Sequence, residues 1–534
     1  MDQGRWAYME GLDCVAACNG LDFLSRVPHG EGTFLASAVD GGRVSYGDTL
    51  SLIRRAAGRF RGEGTHEGDK VLLFAPATPE SILAAVSALC SGCTVVPVDY
   101  TWPTPLLRYV IEQIGPTHLF CCTRNAEKAA ESGFRGRLVL VDDGHPLGEG
   151  SRAPRWAQWL EEGVEEVPWG ADPDAAALIL FTSGSTGRPK GVVLSGGALC
   201  RSGQLVVDTF GWRSTDRFLN LGDLHTMSGF RNTCIAAWLA GCSVVAANPE
   251  QRDSVFSVLA LAARSGCTLL GAGPHFIRLM NLCAGRGDAM PPSLRQVLCT
   301  GGFLSPQEAS EFERHYGIPL INYYGLTETC GLCSADLHDA SRTVAGNIGH
   351  PTASRMEVVD SDGRPLPDME VGEIRVANDR LMSGYHGDQQ RTAEVLRDGW
   401  FYTGDLGYRH PDGSFVLKGR KKNMINNRWT DVVHFEEVEM AMNGHPDVRE
   451  AGVCSRLSRY GEEELVAFVV SDRLSADPRS GIRTIREFLS RTIGPRKTPT
   501  VFEFVEALPH TAAGKLKRDA LGDWVHAGLS KEPD

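Results

Sequence analysis

An apolar run from Ala175 to Leu180 stops abruptly at Phe181-Thr-Ser-Gly-Ser-Thr-Gly-Arg-Pro-Lys-Gly191. Such a run reads as a buried strand, so the segment after it is a loop delivered to the edge of a sheet. Hydroxyl side chains and two early glycines, Gly184 and Gly187, let N–H and O–H donors pack around phosphate oxygens, and Arg188 and Lys190 add positive charge. The order is not that of a Walker A loop, because Gly-x-x-x-x-Gly-Lys-Ser/Thr is absent. A flexible Gly/Ser linker would need neither the strand before it nor the ordered basic pair inside it.

The same alternation of apolar and helix-compatible stretches recurs on both sides of the loop. Strands are expected at 70–74, 93–98, 138–141, 175–181, 242–246, 267–270 and 294–299, with a helix over 80–90, which predicts one large α/β body with its strands buried under helices. From Gly349 the texture changes to Gly- and Pro-punctuated pieces at 356–359, 372–376 and 414–417. A basic junction, Gly419 to Asn423, leads to a compact end with helices expected at 435–442 and 482–489 and a strand at 464–470. At 534 residues, well beyond the size at which one core stops growing, this predicts a large α/β domain over 1–420 and a small α+β domain over 421–534.

The formal charge of -12 gives no general attraction to nucleic acid or anionic membrane, and no window approaches 18 uncharged apolar residues. With no basic-then-apolar leader, the expected setting is the cytoplasm, without nucleic-acid or membrane partners. Fifteen cysteines, an odd number diluted through a long chain, read as incidental thiols. Cys330-Gly-Leu-Cys333 has redox or metal spacing but lacks a matching second pair. Gly-x-Ser-x-Gly is also absent, so no serine nucleophile is expected.

Seven blocks in order carry a resemblance: the loop at 181–191, Val96-Pro-Val-Asp99, Gly301-Gly302, Tyr323-Tyr-Gly-Leu-Thr-Glu328, Tyr402-Thr-Gly-Asp405, Gly419-Arg420 and Gly514-Lys515. Over roughly residues 35–520 the chain resembles the adenylate-forming superfamily of acyl-CoA synthetases, peptide-synthetase adenylation domains, acyl-AMP ligases and luciferases. The resemblance implies an α/β multi-subdomain fold with a large N-terminal domain and a small mobile lid, and an ATP- and Mg²⁺-dependent ligase. By resemblance Thr182, Ser183, Gly184, Ser185, Thr186, Gly187 and Lys190 hold the ATP phosphates. Tyr324 would pack on adenine, Thr327 touch the α-phosphate, Glu328 ligate Mg²⁺, and Asp405 and Arg420 meet the ribose. Lys515 would neutralise charge as the adenylate forms, and Lys422 would be the hinge of the lid.

The pocket for the activated group is drawn from His225 or Thr226, His275, Gly301, Gly302 and Phe303; small glycines beside aromatic walls suit a small aryl or otherwise compact acid. A core role for His275 is an equal alternative. The chain departs from the family after the hinge. Arg428 and Trp429 stand near positions where glycines are usual, Phe435 replaces Pro, and bulky side chains there cannot copy the close backbone approach of glycine. Three outcomes stay open for the acceptor: a thiol of CoA or a phosphopantetheine carrier protein, an amine, or an aryl amine diazotised with ATP-activated nitrite. A non-catalytic interaction protein that keeps the fold is the alternative from another class.

Overall fold

The computed structural model describes residues 32–37, 41–141, 153–165, 172–182, 189–285, 290–302, 304–337, 344, 346–421, 423–426, 432–457, 463–511 and 515–526. Two large sheets make the body. In the first, the parallel strands Ala176–Thr182, Thr94–Pro97, Lys70–Phe74, His118–Cys122 and Arg137–Val141 lie side by side in that order. Lys190–Ser195 and the short Gly384–Tyr385 add antiparallel strands outside Ala176–Thr182. In the second, six parallel strands run in the order Leu320–Leu326, Gln296–Cys299, Leu269–Ala272, Arg217–Asn220, Ser243–Ala246, Thr33–Ser37, closed by antiparallel strands at both edges.

One helix shows how the sheets are joined. Thr78 caps Pro79–Cys90 by accepting from the Ser81 N–H, proline sits in its first turn, and Ser81 returns the bond to close a capping box. Nine of its twelve residues are buried, including Ile82, Ala84, Val86 and Ala88 at 0% exposure. A helix covered on all sides belongs between layers. It touches Lys70–Phe74 and His118–Cys122 of the first sheet and Thr33–Ser37 of the second, within a single apolar cluster fed by both sheets.

The Gly- and Pro-rich region forms a third, antiparallel sheet: Arg355–Val359, Gly372–Ala377, Trp400–Arg409 and Leu396–Arg397, with Phe415–Arg420 also paired to Trp400–Arg409. The C-terminal part carries the hairpin Met424–Asn426/Val432–His434, the helices Phe435–Asn443 and Pro478–Thr492, and the sheet Glu450–Leu457, Glu463–Val470, Val501–Phe504 around its own core. The result is the expected mixed α/β fold, a large N-terminal part followed by a small C-terminal one.

Several strands that build the site, Lys190–Ser195, Arg217–Asn220 and Leu320–Leu326 among them, are not announced by local periodicity. Asp405, although flanked by Gly404 and Gly407, lies inside the ten-residue strand Trp400–Arg409. Gly404 at φ +71° and a register shift after Leu406 give that strand the local texture of a turn without ending it. The strand His118–Cys122 is not among those expected; its partners on both sides, Lys70–Phe74 and Arg137–Val141, supply the pairing that its own composition does not announce. Cys330 and Cys333 are fully buried, and burial pushes both thiols up to about 11.

Candidate active site

Four neighbouring parallel strands of the second sheet, Arg217–Asn220, Leu269–Ala272, Gln296–Cys299 and Leu320–Leu326, end on one rim. The carboxyl ends of parallel strands are where open α/β sheets bind ligands. From these ends come, respectively, the turn with His225 and Thr226, the helix Pro274–Cys283 that begins with Pro274 and His275, the Gly301-Gly302 pair, and the Tyr324 to Glu328 turn. The structure therefore gathers the sequence-named pocket residues on one edge.

Their individual roles differ. Thr226 caps the short helix Met227–Phe230, accepting from the Gly229 N–H at 3.0 Å and donating to the Asp223 carbonyl at 2.8 Å, so its hydroxyl is taken up in holding the turn. His225 stands beside it, half-buried. Gly301 and Gly302 are exposed, with Gly301 at φ +92° and Gly302 facing Pro274. His275 faces the C-terminal part of the chain: its ring lies 5.2 Å, centroid to centroid, from that of His510. Phe303 lies outside the described residues.

The turn depends on Gly229. A Cβ there would lie 1.9 Å from the Asp223 carbonyl oxygen. Asp223 also receives the Arg252 guanidinium at 2.8 Å and the Ala77 N–H at 3.3 Å, which tie the turn to both sheets. Gly229→Ala is expected to destabilise the fold by about 1–3 kcal/mol through overpacking. Gly522→Ala, in the helix Arg518–His526 with nothing near its Cβ position, is expected to leave the melting temperature unchanged or slightly higher. Equal melting curves for the two variants would contradict this.

The loop expected to hold phosphate joins Ala176–Thr182 to the antiparallel strand Lys190–Ser195, so its two ends sit together at a sheet edge. Ser183, Gly184, Ser185, Thr186, Gly187 and Arg188 lie outside the described residues, but both ends are informative. Thr182 Oγ1 is buried and has no hydrogen-bond partner among the described residues, a donor placed for an oxygen atom at the loop mouth. Lys190 Nζ reaches Glu328 Oε1 at 2.8 Å and Tyr385 Oη at 2.5 Å, and Tyr385 donates to the same Glu328 oxygen at 2.9 Å. This triad fastens the loop of the first sheet to the turn of the second. Burial alone would raise the Glu328 carboxyl, but the Lys190 charge and the hydrogen bonds outweigh it and hold it below its usual value. For the Tyr385 phenol, burial and the Glu328 charge act together and push it far up. The Thr327 hydroxyl, half-buried in the turn, makes no hydrogen bond among the described residues.

A second node surrounds Asp405. Tyr324 donates to Oδ2 at 2.6 Å, Arg420 donates from Nε to Oδ1 at 2.8 Å, and Asp405 and Arg420 face each other across paired strands. The Thr403 hydroxyl accepts the Asp405 N–H at 3.0 Å, and Glu373 accepts the Gly404 N–H at 3.0 Å. Burial first and the Asp405 charge second push the Tyr324 phenol well up, while Asp405 strengthens the charge on Arg420. The Tyr324 ring packs on the cluster formed by Cys333, Ile348 and Met356, so its hydroxyl edge, aimed at Asp405, is fixed.

Lys515 is exposed on a hairpin in which Thr511 N–H donates to the Lys515 carbonyl at 2.8 Å and Lys515 N–H donates to Thr511 Oγ1 at 3.1 Å. The hairpin springs from His510, the residue set against His275, so it lies on the rim side of the large domain. Lys422, Arg428, Trp429 and Gly514 fall outside the described residues.

Sequence reasoning misses three participants. Tyr385 lies on a two-residue strand that only its pairing with Lys190–Ser195 creates. Glu373 braces Gly404 from an adjacent strand. Arg231, fully buried at the head of the π-helical stretch Arg231–Ala236, donates to Asn232 Oδ1 at 2.9 Å and, more loosely, to Ser202 Oγ and Tyr323 Oη at 3.4 Å. It pairs with no carboxylate among the described residues. It opens a π-helical stretch just after the pocket turn, a geometry frequent at functional sites that the sequence does not announce.

The turn from Tyr324 to Glu328 thus carries both clusters, in the blocks that gave the resemblance to adenylate-forming enzymes. Family models agree: "AMP-binding enzyme" matches residues 28–386, and "AMP-binding enzyme C-terminal domain" matches residues 437–515. The chain belongs to this family and is an ATP-dependent, AMP-forming ligase. It is 30% identical to a sulfoacetate–CoA ligase of Cupriavidus necator over 492 residues, covering 91% of this chain and 93% of that protein. Identity to an indoleacetate–CoA ligase of Aromatoleum aromaticum is 29%, over 89% and 92% of the two chains. Among solved structures, an anthranilate CoA ligase in complex with anthranoyl-AMP superposes with a TM-score of 0.85 at 20% identity, over 96% of this chain and 98% of that one. An amide bond synthetase from Marinactinospora thermotolerans superposes with a TM-score of 0.82 at 26% identity, over 95% and 99%.

Proposed function

We propose that the protein adenylates a small, compact carboxylic acid with release of pyrophosphate and then passes the acyl group to the thiol of CoA or of a carrier protein. The observation that carries this reading is the joint placement of the Lys190–Glu328–Tyr385 triad and the Tyr324–Asp405–Arg420 node on the single turn from Tyr324 to Glu328. The substrate carboxylate oxygen attacks the ATP α-phosphorus in line, an O–P bond forms, and the bond to the β-phosphate oxygen breaks.

In this reading the Thr182 hydroxyl, the loop and Lys190 hold phosphate oxygens, and Thr327 donates to the α-phosphate. Asp405 accepts from the ribose hydroxyls, and Lys515 approaches as negative charge gathers. Glu328, a hard carboxylate donor whose Oε1 takes both Lys190 and Tyr385, is the residue that would hold Mg²⁺, which when bound neutralises phosphate charge. The exposed Gly301-Gly302 ledge beside Pro274 leaves side-chain-free space for a flat or short acyl group. Relatives named for sulfoacetate and indoleacetate support a compact acid.

An amine acceptor is the second reading, favoured by Arg428 and Trp429 in place of the usual glycines and by the likeness to an amide bond synthetase. One experiment separates the readings. ATP and a panel of small aryl and short-chain acids are supplied with CoA, with amines, or with nitrite and an aryl amine, and the products are identified by mass. A thioester product with CoA is expected. Amide alone would move the assignment to the second reading, diazotised product alone would remove the acid from the reaction, and no pyrophosphate with any set would overturn both.

A further inference from the structure

The helix Pro274–Cys283 of the large domain and the base of the Lys515 hairpin meet at a cluster that the adenylation chemistry does not use. His275, Glu450 and His510 each offer one donor atom, and the three atoms lie within 4.8 Å of one another. His510 Nε2 is 2.8 Å from Glu450 Oε1, and His510 Nδ1 is 2.9 Å from the Leu508 carbonyl oxygen. Both ring nitrogens of His510 thus face oxygen acceptors. A carbonyl on Nδ1 fixes the tautomer with hydrogen there, which turns the Nε2 lone pair toward a carboxylate lone pair. That edge calls for a positive species between nitrogen and oxygen. A proton serves one pair of atoms; a divalent ion serves His275 as well.

We propose that His275, Glu450 and His510 form a zinc-class divalent metal site that bridges the large and small domains. Two imidazoles and one carboxylate are a donor set suited to zinc and similar late transition ions rather than to magnesium or calcium. Tetrahedral ligation at about 2.0–2.1 Å separates donors by about 3.3 Å, within reach of three atoms that already lie within 4.8 Å of one another. The Leu508 carbonyl on Nδ1 is the outer partner that metal-bound histidines usually have. The nearby positive charge, Arg278, is paired with Glu308 at 2.5 Å and so opposes the ion less. All three ligands are half-buried, which leaves a path from solvent.

Because the ligands come from both domains, the ion binds one domain arrangement and stabilises it. His275 is next to Pro274 at the Gly302 ledge, and His510 roots the Lys515 hairpin. A bound ion therefore holds that hairpin at the rim. The kinetic consequence alone rests on the proposed two-step reaction: zinc slows acyl transfer while sparing adenylation, if transfer requires the small domain to turn.

The test titrates Co²⁺ into the chelator-treated full-length protein and follows the visible bands of the ion. The expected result is one equivalent bound with a tetrahedral spectrum that lacks the thiolate charge-transfer band given by cysteine ligation. His275→Ala, on the surface of a large-domain helix, is expected to weaken binding about tenfold or more, to melt at the wild-type temperature without metal, and to lose the rise in melting temperature that Zn²⁺ gives the wild type. His510→Ala should weaken Co²⁺ in the same way. No uptake by the wild type, a thiolate band, or unchanged affinity in His275→Ala would each overturn the site. A failure to adenylate any acid would not, because metal binding is read without turnover.

Discussion

Lys515→Ala is expected to lower the rate of pyrophosphate release about 10²–10³-fold, the usual loss when one preorganised charge is removed from a developing anion. The half-saturating ATP concentration should change little, since the phosphate loop and Asp405 hold the nucleotide in the ground state as well. Lys515 is exposed on its hairpin, where a single substitution usually changes stability by no more than about 0.5 kcal/mol. Its melting temperature should therefore match the wild type. The charge gains its worth only when the rim closes and water leaves, because an ion pair in water is weak and the same pair in a dry site is strong. Synthetic acyl adenylate supplied to the variant should still be consumed by the acceptor at close to the wild-type rate. Full pyrophosphate release by Lys515→Ala would sink the assignment. Equal loss in both half-reactions would mean that the hairpin had been disturbed instead.

The parts of this fold that are legible are those written in local periodicity. The strand Lys70–Phe74 and the helix Pro79–Cys90 fall, within a residue, where the apolar run at 70–74 and the helix-compatible stretch at 80–90 place them. Phe435–Asn443 and Glu463–Val470 in the small domain are likewise within a residue or so of expectation. Family order adds Lys190, Tyr324, Glu328, Asp405 and Arg420, which the fold brings together in two nodes. Pairing over distance is not legible. Lys190 meets Glu328 across 138 residues and Tyr385 across 195, and nothing in Gly384-Tyr385-His386 announces a strand or a partner. The neighbours of His275 in sequence place it in the pocket, yet its ring faces His510 because the small domain lies on that helix. Asp405 reads as a turn residue because Gly404 and Gly407 flank it. The strand persists there because Arg420 and Gly419 pair opposite it.

Asp405→Asn is expected to raise the half-saturating ATP concentration by at least about 10-fold, the equivalent of losing one or two hydrogen bonds to a charged acceptor at about 1.5–3 kcal/mol each. A carboxylate has about four acceptor sites. Tyr324 and Arg420 occupy one on each oxygen, so room remains for two sugar hydroxyls. An amide has a single oxygen; with Arg420 kept on that oxygen its NH₂ faces the Tyr324 hydroxyl, which must turn from donor to acceptor. The same change removes the charge opposite Arg420, whose side chain is 35% exposed while that of Asp405 is 5% exposed. The loss of stability is thus about 1–3 kcal/mol, below the figure for a fully buried pair. A structural and a functional role predict different answers with altered nucleotides. If Asp405 binds the ribose, the wild type prefers ATP over 2′-deoxy-ATP and 3′-deoxy-ATP, and the preference collapses in Asp405→Asn. If it only ties Tyr324 to Arg420, the variant loses stability and still prefers ATP by the wild-type ratio, and the ribose assignment falls.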